Sequence, residues 1–171
     1  RDEKVKVLKS LRRIDRTNVR EKTVRGQYTA GFAQGKKVPG YLEEEGANKS
    51  SHTETFVAIR VDIDNWRWAG VPFYLRTGKR LPTKCSEVVV YFKTPELNLF
   101  KETWQELPQN KLTIRLQPDE GVDIQVLNKV PGLDHKHNLQ ITKLDLSYSE
   151  TFNQTHLADA YERLLLETMR G

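Results

Sequence analysis

The chain has 171 residues, 37% hydrophobic and 30% charged, with a formal net charge of +5 from 28 Lys and Arg against 23 Asp and Glu. That length fits one domain with a core of its own, and the single cysteine, Cys85, excludes an internal disulfide or a thiolate metal cluster. No apolar run approaches the ~18–20 residues of a membrane span, and the excess of cations suits an anionic ligand, either a phosphate ester or nucleic acid.

The acidic residues are mixed among the basic ones along most of the chain, unlike the concentrated basic patch of a typical nucleic-acid module. A lone thiol reads as a reducing, cytoplasmic setting. The charged opening Arg1-Asp2-Glu3-Lys4 does not read as a signal peptide, and Arg170-Gly171 follows a helix-like run directly. Both ends read as cuts within a longer protein.

In chain order, Val7, Leu8, Leu11 and Ile14 recur at helical spacing and predict a helix over 3–14. Residues 24–32 are strand-like. Residues 34–48, with three glycines, Pro39 and the run Glu43-Glu44-Glu45, read as loop. From Thr53 the period changes to two: Thr55, Val57, Ile59, Val61 and Ile63 alternate with Glu54, Ala58, Arg60 and Asp62, and Asp64-Asn65 makes a turn.

A further extended run covers 71–76 and ends at Gly78. Val88, Val90 and Phe92 then alternate with charged neighbours, and Leu112, Ile114 and Leu116 alternate with Thr113, Arg115 and Gln117. The turn Pro118-Asp119-Glu120-Gly121 precedes Val122, Ile124 and Val126. Residues 139–146 give one more strand, whose facing is expected to switch near Lys143. Tyr161, Leu164, Leu165 and Met169 predict a closing helix over 159–169. The expected class is α+β, with a large, mostly antiparallel β-sheet and flanking helices that cover its apolar face.

Arg76-Thr77-Gly78-Lys79-Arg80-Leu81-Pro82-Thr83-Lys84 places four cations within nine residues after a strand, with Gly78 permitting a tight turn. Such a segment can surround a phosphate with ammonium and guanidinium donors, but by composition alone it reads as a solvated basic turn. Asp134-His135-Lys136-His137 lacks further ligands and reads as a surface loop. Asp62-Ile63-Asp64 opens like a calcium loop, but Arg67 stands where its glycine would be. Trp66 and Trp68 are read as packing residues. No Gly-x-Gly occurs, which removes both the Rossmann fingerprint and the P-loop.

The run Gly70-Val71-Pro72-Phe73-Tyr74-Leu75-Arg76-Thr77-Gly78-Lys79-Arg80-Leu81 resembles glucose-6-phosphate dehydrogenases. So do Val24-Arg25-Gly26-Gln27-Tyr28, Gly40-Tyr41-Leu42, Thr53-Glu54-Thr55-Phe56, Ile114-Arg115-Leu116-Gln117-Pro118 and Asp159-Ala160-Tyr161-Glu162-Arg163-Leu164, in the family's order. The likeness runs through the whole of 1–171 and is nearest to enterobacterial members. It implies the carboxyl-terminal, substrate-binding and dimer-forming part of an enzyme that oxidises glucose 6-phosphate to the 6-phosphogluconolactone with NADP.

By the same resemblance, NADP belongs to an amino-terminal Rossmann domain absent from this chain, as does the catalytic histidine; Arg12-Arg13-Ile14-Asp15 is not followed by the family's His-Tyr-Leu-Gly-Lys. Lys79 falls on the family's substrate lysine and Lys84 on a second substrate cation, with Gln117 a further candidate. Arg76 and Arg115 match part of a structural NADP site of some animal members, but Gly121-Val122-Asp123-Ile124-Gln125 departs from the Tyr-Thr-Lys expected there. The implied partners are glucose 6-phosphate and a second copy of the protein, joined through a mixed sheet face carrying Thr113, Arg115, Gln117, Asp123 and Gln125; neither nucleic acid nor membrane is expected. The rival reading is a non-enzymatic basic β-sheet module that binds single-stranded nucleic acid through Trp66, Trp68 and the 76–84 segment.

Overall fold

The computed structural model describes residues 2–33, 35–101, 104–132, 138–152 and 160–170. They are α+β, with antiparallel sheets and few helices, and divide into two compact units, Arg1–Thr83 and Lys84–Gly171.

The first unit opens with α1, Asp2–Lys9, whose first turn carries Asp2 and Glu3 and whose last turn carries Lys6 and Lys9, charges matched to the helix dipole. The helix predicted over 3–14 therefore stops early. Leu11 forms a β-bridge with Ile63, Arg12 N–H donates to the Asp62 carbonyl at 2.9 Å, and Asp64 N–H donates to the Ser10 carbonyl at 2.8 Å. Pairing with a strand end satisfies the backbone of residues 10–12, so their apolar spacing does not continue the helix. The Arg12 guanidinium reinforces the junction through two hydrogen bonds to Asp64, at 2.7 and 3.1 Å.

A short helix, α2 (Val19–Lys22), leads into β1 (Thr23–Gly26). Two three-residue strands, β2 (Gly31–Ala33) and β3 (Lys36–Val38), pair inside the region read as strand and loop. Their brevity and the Lys36-Lys37 pair hide them from a period-two reading. The alternating run forms β4 (Phe56–Asp62), which pairs with β1 on one side and β5 (Pro72–Gly78) on the other. In the connecting turn Asn65 Oδ1 accepts from Trp68 N–H at 2.9 Å, and Gly70 takes φ +80°. Trp68 packs edge-on to Phe73 with ring centroids 5.2 Å apart, as expected. Trp66 does not pack; it is fully exposed at the turn, so the two indoles share no role.

Lys22 and Asp62 form a largely buried ion pair at 2.7 Å. This hydrogen-bonded ammonium holds the Asp62 carboxyl below its ordinary 3.8. A carboxylate with a depressed folded pKa contributes stability that is present above its ordinary value and lost as pH falls through the folded one. Protection of β4 amides against hydrogen exchange is accordingly expected to fall as pH drops below about 4, and to fall less steeply in Lys22→Met. Equal acid sensitivity of the two proteins would contradict this.

The second unit is a four-stranded meander: β6 (Ser86–Tyr91), β7 (Lys111–Gln117), β8 (Gly121–Lys129) and β9 (Leu139–Ser147), each antiparallel to the next. The switch of facing expected near Lys143 does not occur. The β8–β9 register runs unbroken from Gly121 opposite Ser147 to Lys129 opposite Leu139. Ile141 therefore shares a face with Lys143 and Asp145, while Leu144 and Leu146 lie on the other. The sequence shifts its apolar phase because one face is mixed, carrying Leu127 opposite Ile141 beside Gln125 opposite Lys143.

Two helices follow, α3 (Tyr148–Phe152) and α4 (Ala160–Arg170). Among the described residues the expected helical cover of the apolar sheet face is not made: Leu144 is 64% exposed, and Leu164, Leu165, Leu166 and Met169 of α4 are each more than half exposed. Among the described residues Ile63, at 8%, is the one buried apolar side chain. A chain of this length could close its own core, but these residues leave their apolar faces open. The closing-helix residue Asp159 and the segment 134–137 lie outside the described residues.

Candidate functional site

The segment that singles itself out chemically begins where β5 ends, beside the start of β4. Gly78 is the last residue of β5 and lies opposite Phe56. A β-carbon there would stand 2.9 Å from Phe56 Cδ2 and 3.3 Å from the Thr55 carbonyl oxygen, so this close approach needs glycine. Lys79 N–H then donates to the Thr55 carbonyl at 2.8 Å, extending the pairing by one bond beyond the strand. The backbone of Lys79 is thus fixed, while its side chain is exposed and in no ion pair among the described residues.

Arg80 behaves differently from its neighbour. Its φ is 56°, a left-handed conformation that costs a residue bearing a β-carbon about 1–2 kcal/mol. Its guanidinium pairs with Glu44 and lies 5.7 Å from the centroid of the Tyr28 ring. The Arg80 hydrogen bond, and after it that of Tyr28, hold the Glu44 carboxyl below its ordinary 4.5. Of the four cations in the segment, Arg80 is taken by an internal partner. Arg76, on β5 opposite Ala58, is exposed and unpaired among the described residues, as is Lys84, the first residue of the second unit.

Gln117 closes β7, opposite Ser86. Two residues earlier, Arg115 is bound up: it pairs with Asp123 at 3.2 Å and Asp145 at 2.9 Å, and Lys143 approaches both carboxylates at 3.3 Å. Asp123 and Asp145 stand directly opposite each other across β8 and β9, and the two cations between them offset that repulsion. The Arg115 hydrogen bond holds the Asp145 carboxyl below its ordinary 3.8. Gly121 makes room, since its missing β-carbon would fall on the Arg115 guanidinium and 2.5 Å from the Leu146 carbonyl oxygen.

The chain carries no Gly-x-Gly turn, and Arg115 is committed to two carboxylates. Cys85 is a free, exposed thiol, and no group of three His, Cys, Asp or Glu among the described residues could hold a metal ion. No helix among them is long and apolar enough to cross a membrane.

Sequence reasoning singled out Lys79 and Lys84 as candidates and did not anticipate that Glu44 and Tyr28 engage Arg80. Glu44 lies in an acidic loop run that carries no local sign of its partner, 36 residues away.

The family model for the glucose-6-phosphate dehydrogenase C-terminal domain matches residues 1–171. Among curated relatives, the glucose-6-phosphate 1-dehydrogenase of Dickeya dadantii is 85% identical over 100% of this chain and 35% of the relative. That of Buchnera aphidicola subsp. Schizaphis graminum is 56% identical over the same shares. A solved glucose-6-phosphate dehydrogenase in complex with its substrate glucose-6-phosphate is similar with a TM-score of 0.79 at 38% identity, over 96% of this chain and 31% of that one. The chain therefore spans about a third of the length of the relatives it matches.

Proposed function

The chain belongs to the glucose-6-phosphate dehydrogenase C-terminal domain family, and from that premise we propose that it is the substrate-binding and dimer-forming part of an NADP-dependent glucose-6-phosphate dehydrogenase. The whole enzyme oxidises D-glucose 6-phosphate to 6-phospho-D-glucono-1,5-lactone in the oxidative pentose phosphate pathway. The observation that carries the assignment is the turn at Gly78-Lys79: its backbone is pinned to Thr55, and it presents an ammonium that no described carboxylate neutralises. Lys79 and Lys84 donate charge-assisted hydrogen bonds to the sugar phosphate. They hold and orient the anion and transfer no proton.

The general-base histidine and the NADP site are assigned to the amino-terminal dinucleotide-binding domain, outside this chain. The free, exposed Cys85 suits a reducing cytoplasm. For assembly, the mixed face of the second unit's sheet offers Thr113, Gln125, Lys143 and Asp145 among Val89, Tyr91, Leu127 and Ile141. Polar groups interleaved with apolar ones suit an isologous contact with a second copy.

The full-length protein is expected to form reduced coenzyme from glucose 6-phosphate and NADP and to sediment as a homodimer, whereas the 171-residue chain alone yields no reduced coenzyme. Absorbance of the reduced nicotinamide and analytical ultracentrifugation read these outcomes. A full-length protein inert toward glucose 6-phosphate, or turnover by the chain alone, would sink the proposal.

A further inference from the structure

Arg80 follows the candidate phosphate-binding Lys79 directly and sits at φ 56°, a conformation held when surrounding contacts over-determine it. Those contacts come from a loop distant in sequence. Glu44 pairs with the Arg80 guanidinium, and the Tyr28 ring lies beneath it at 5.7 Å. Tyr28 Oη–H in turn donates to Glu44 Oε1 at 3.1 Å, so the two groups that grip Arg80 are fastened to each other.

Tyr28 is itself fixed from two sides. Its backbone N–H donates to Thr55 Oγ1 at 2.9 Å, and its ring meets Tyr41 edge-on at 5.9 Å. Thr55 is also the residue whose carbonyl accepts from Lys79 N–H at 2.8 Å. Lys79 is therefore held on its amino side by the strand pairing through Gly78 and Thr55, and on its carboxyl side by the grip on Arg80. Both restraints converge on the same pair, Tyr28 and Thr55.

Resting on the sugar-phosphate assignment made above, we propose that Arg80, clamped by Glu44 and Tyr28, is a positioning residue that sets the direction of Lys79 and does not bind the substrate phosphate itself. Its charge is already balanced by a carboxylate, whereas that of Lys79 is balanced by no described carboxylate. A basic turn that was merely solvated would leave Arg80 as free as Lys79 and would need no left-handed residue.

The test is a kinetic double-mutant cycle in the full-length protein with Arg80→Met, Lys79→Ala and both, varying glucose 6-phosphate and NADP separately. Arg80→Met is expected to raise the glucose 6-phosphate KM about three- to tenfold, with the coenzyme KM unchanged. In the Lys79→Ala background the same substitution should add less than about twofold, because the group it positions is gone. A folding defect or a direct phosphate contact would instead multiply the two losses. Glu44→Gln, nearly isosteric and still able to accept from Tyr28, is read in the same cycle and should act in the same direction but more weakly; it decides the matter if Arg80→Met does not fold. A normal loss in Lys79→Ala with multiplicative double mutants overturns the positioning role alone. An unchanged glucose 6-phosphate KM in Lys79→Ala overturns the assignment of Lys79 to the sugar phosphate, and the positioning role with it.

Discussion

Alanine in place of Lys79, or of Lys84, is expected to raise the glucose 6-phosphate KM of the full-length protein about ten- to a hundredfold and to leave the coenzyme KM close to its wild-type value. A charge-assisted hydrogen bond contributes about 1.5–3 kcal/mol, and each 1.4 kcal/mol or so is a factor of ten in affinity. Two features keep that energy available here. Neither ammonium has a described carboxylate to leave before it can bind phosphate. The Lys79 backbone, moreover, is already ordered by its bond to Thr55, so binding orders one side chain and not a loop. A lysine in contact with substrate and remote from coenzyme divides the two KM values in this way; a lysine that only supports the fold would disturb both. Steady-state kinetics with each substrate varied decides it, and an unchanged sugar-phosphate KM in both variants would end the assignment.

The largest effect on stability is expected at Gly121. A β-carbon on this first residue of β8 would lie 2.5 Å from the Leu146 carbonyl oxygen, a backbone atom on the neighbouring strand, and would also strike the Arg115 guanidinium. The carbonyl cannot retreat without loosening the β8–β9 ladder, and the guanidinium cannot retreat without releasing Asp123 and Asp145, which face each other across that ladder. Overpacking of this kind costs about 1–3 kcal/mol, and two carboxylates stripped of their arginine add to it. Gly26→Ala is the control: Gly26 also lies in a strand, but nothing stands within 4 Å of its would-be β-carbon, so that substitution should be close to neutral. Hydrogen exchange read by mass spectrometry should show β8 and β9 amides losing protection in Gly121→Ala and keeping it in Gly26→Ala. Equal protection in both variants would contradict the geometry.

The sequence by itself determined the longer strands and singled out the motif residues. Alternation with a period of two is a local property, so β4, β7 and β8 can be read within a few residues of their ends, and Arg76-Thr77-Gly78-Lys79 points to Lys79 by resemblance. Only the tertiary structure decided where α1 stops, because pairing of Leu11 with Ile63 ends it and that partner lies 52 residues away. The fates of Arg80 and Arg115 were equally out of reach. With 28 cations and 23 anions spread along the chain, local pattern does not choose Glu44 for one arginine or Asp123 and Asp145 for the other. Strand register and loop closure make that choice, since charges pair with whatever the folded backbone brings within a few ångströms. So Lys79, legible as one cation of a basic turn, is fixed at its backbone by Thr55, which is close to it only in the folded chain.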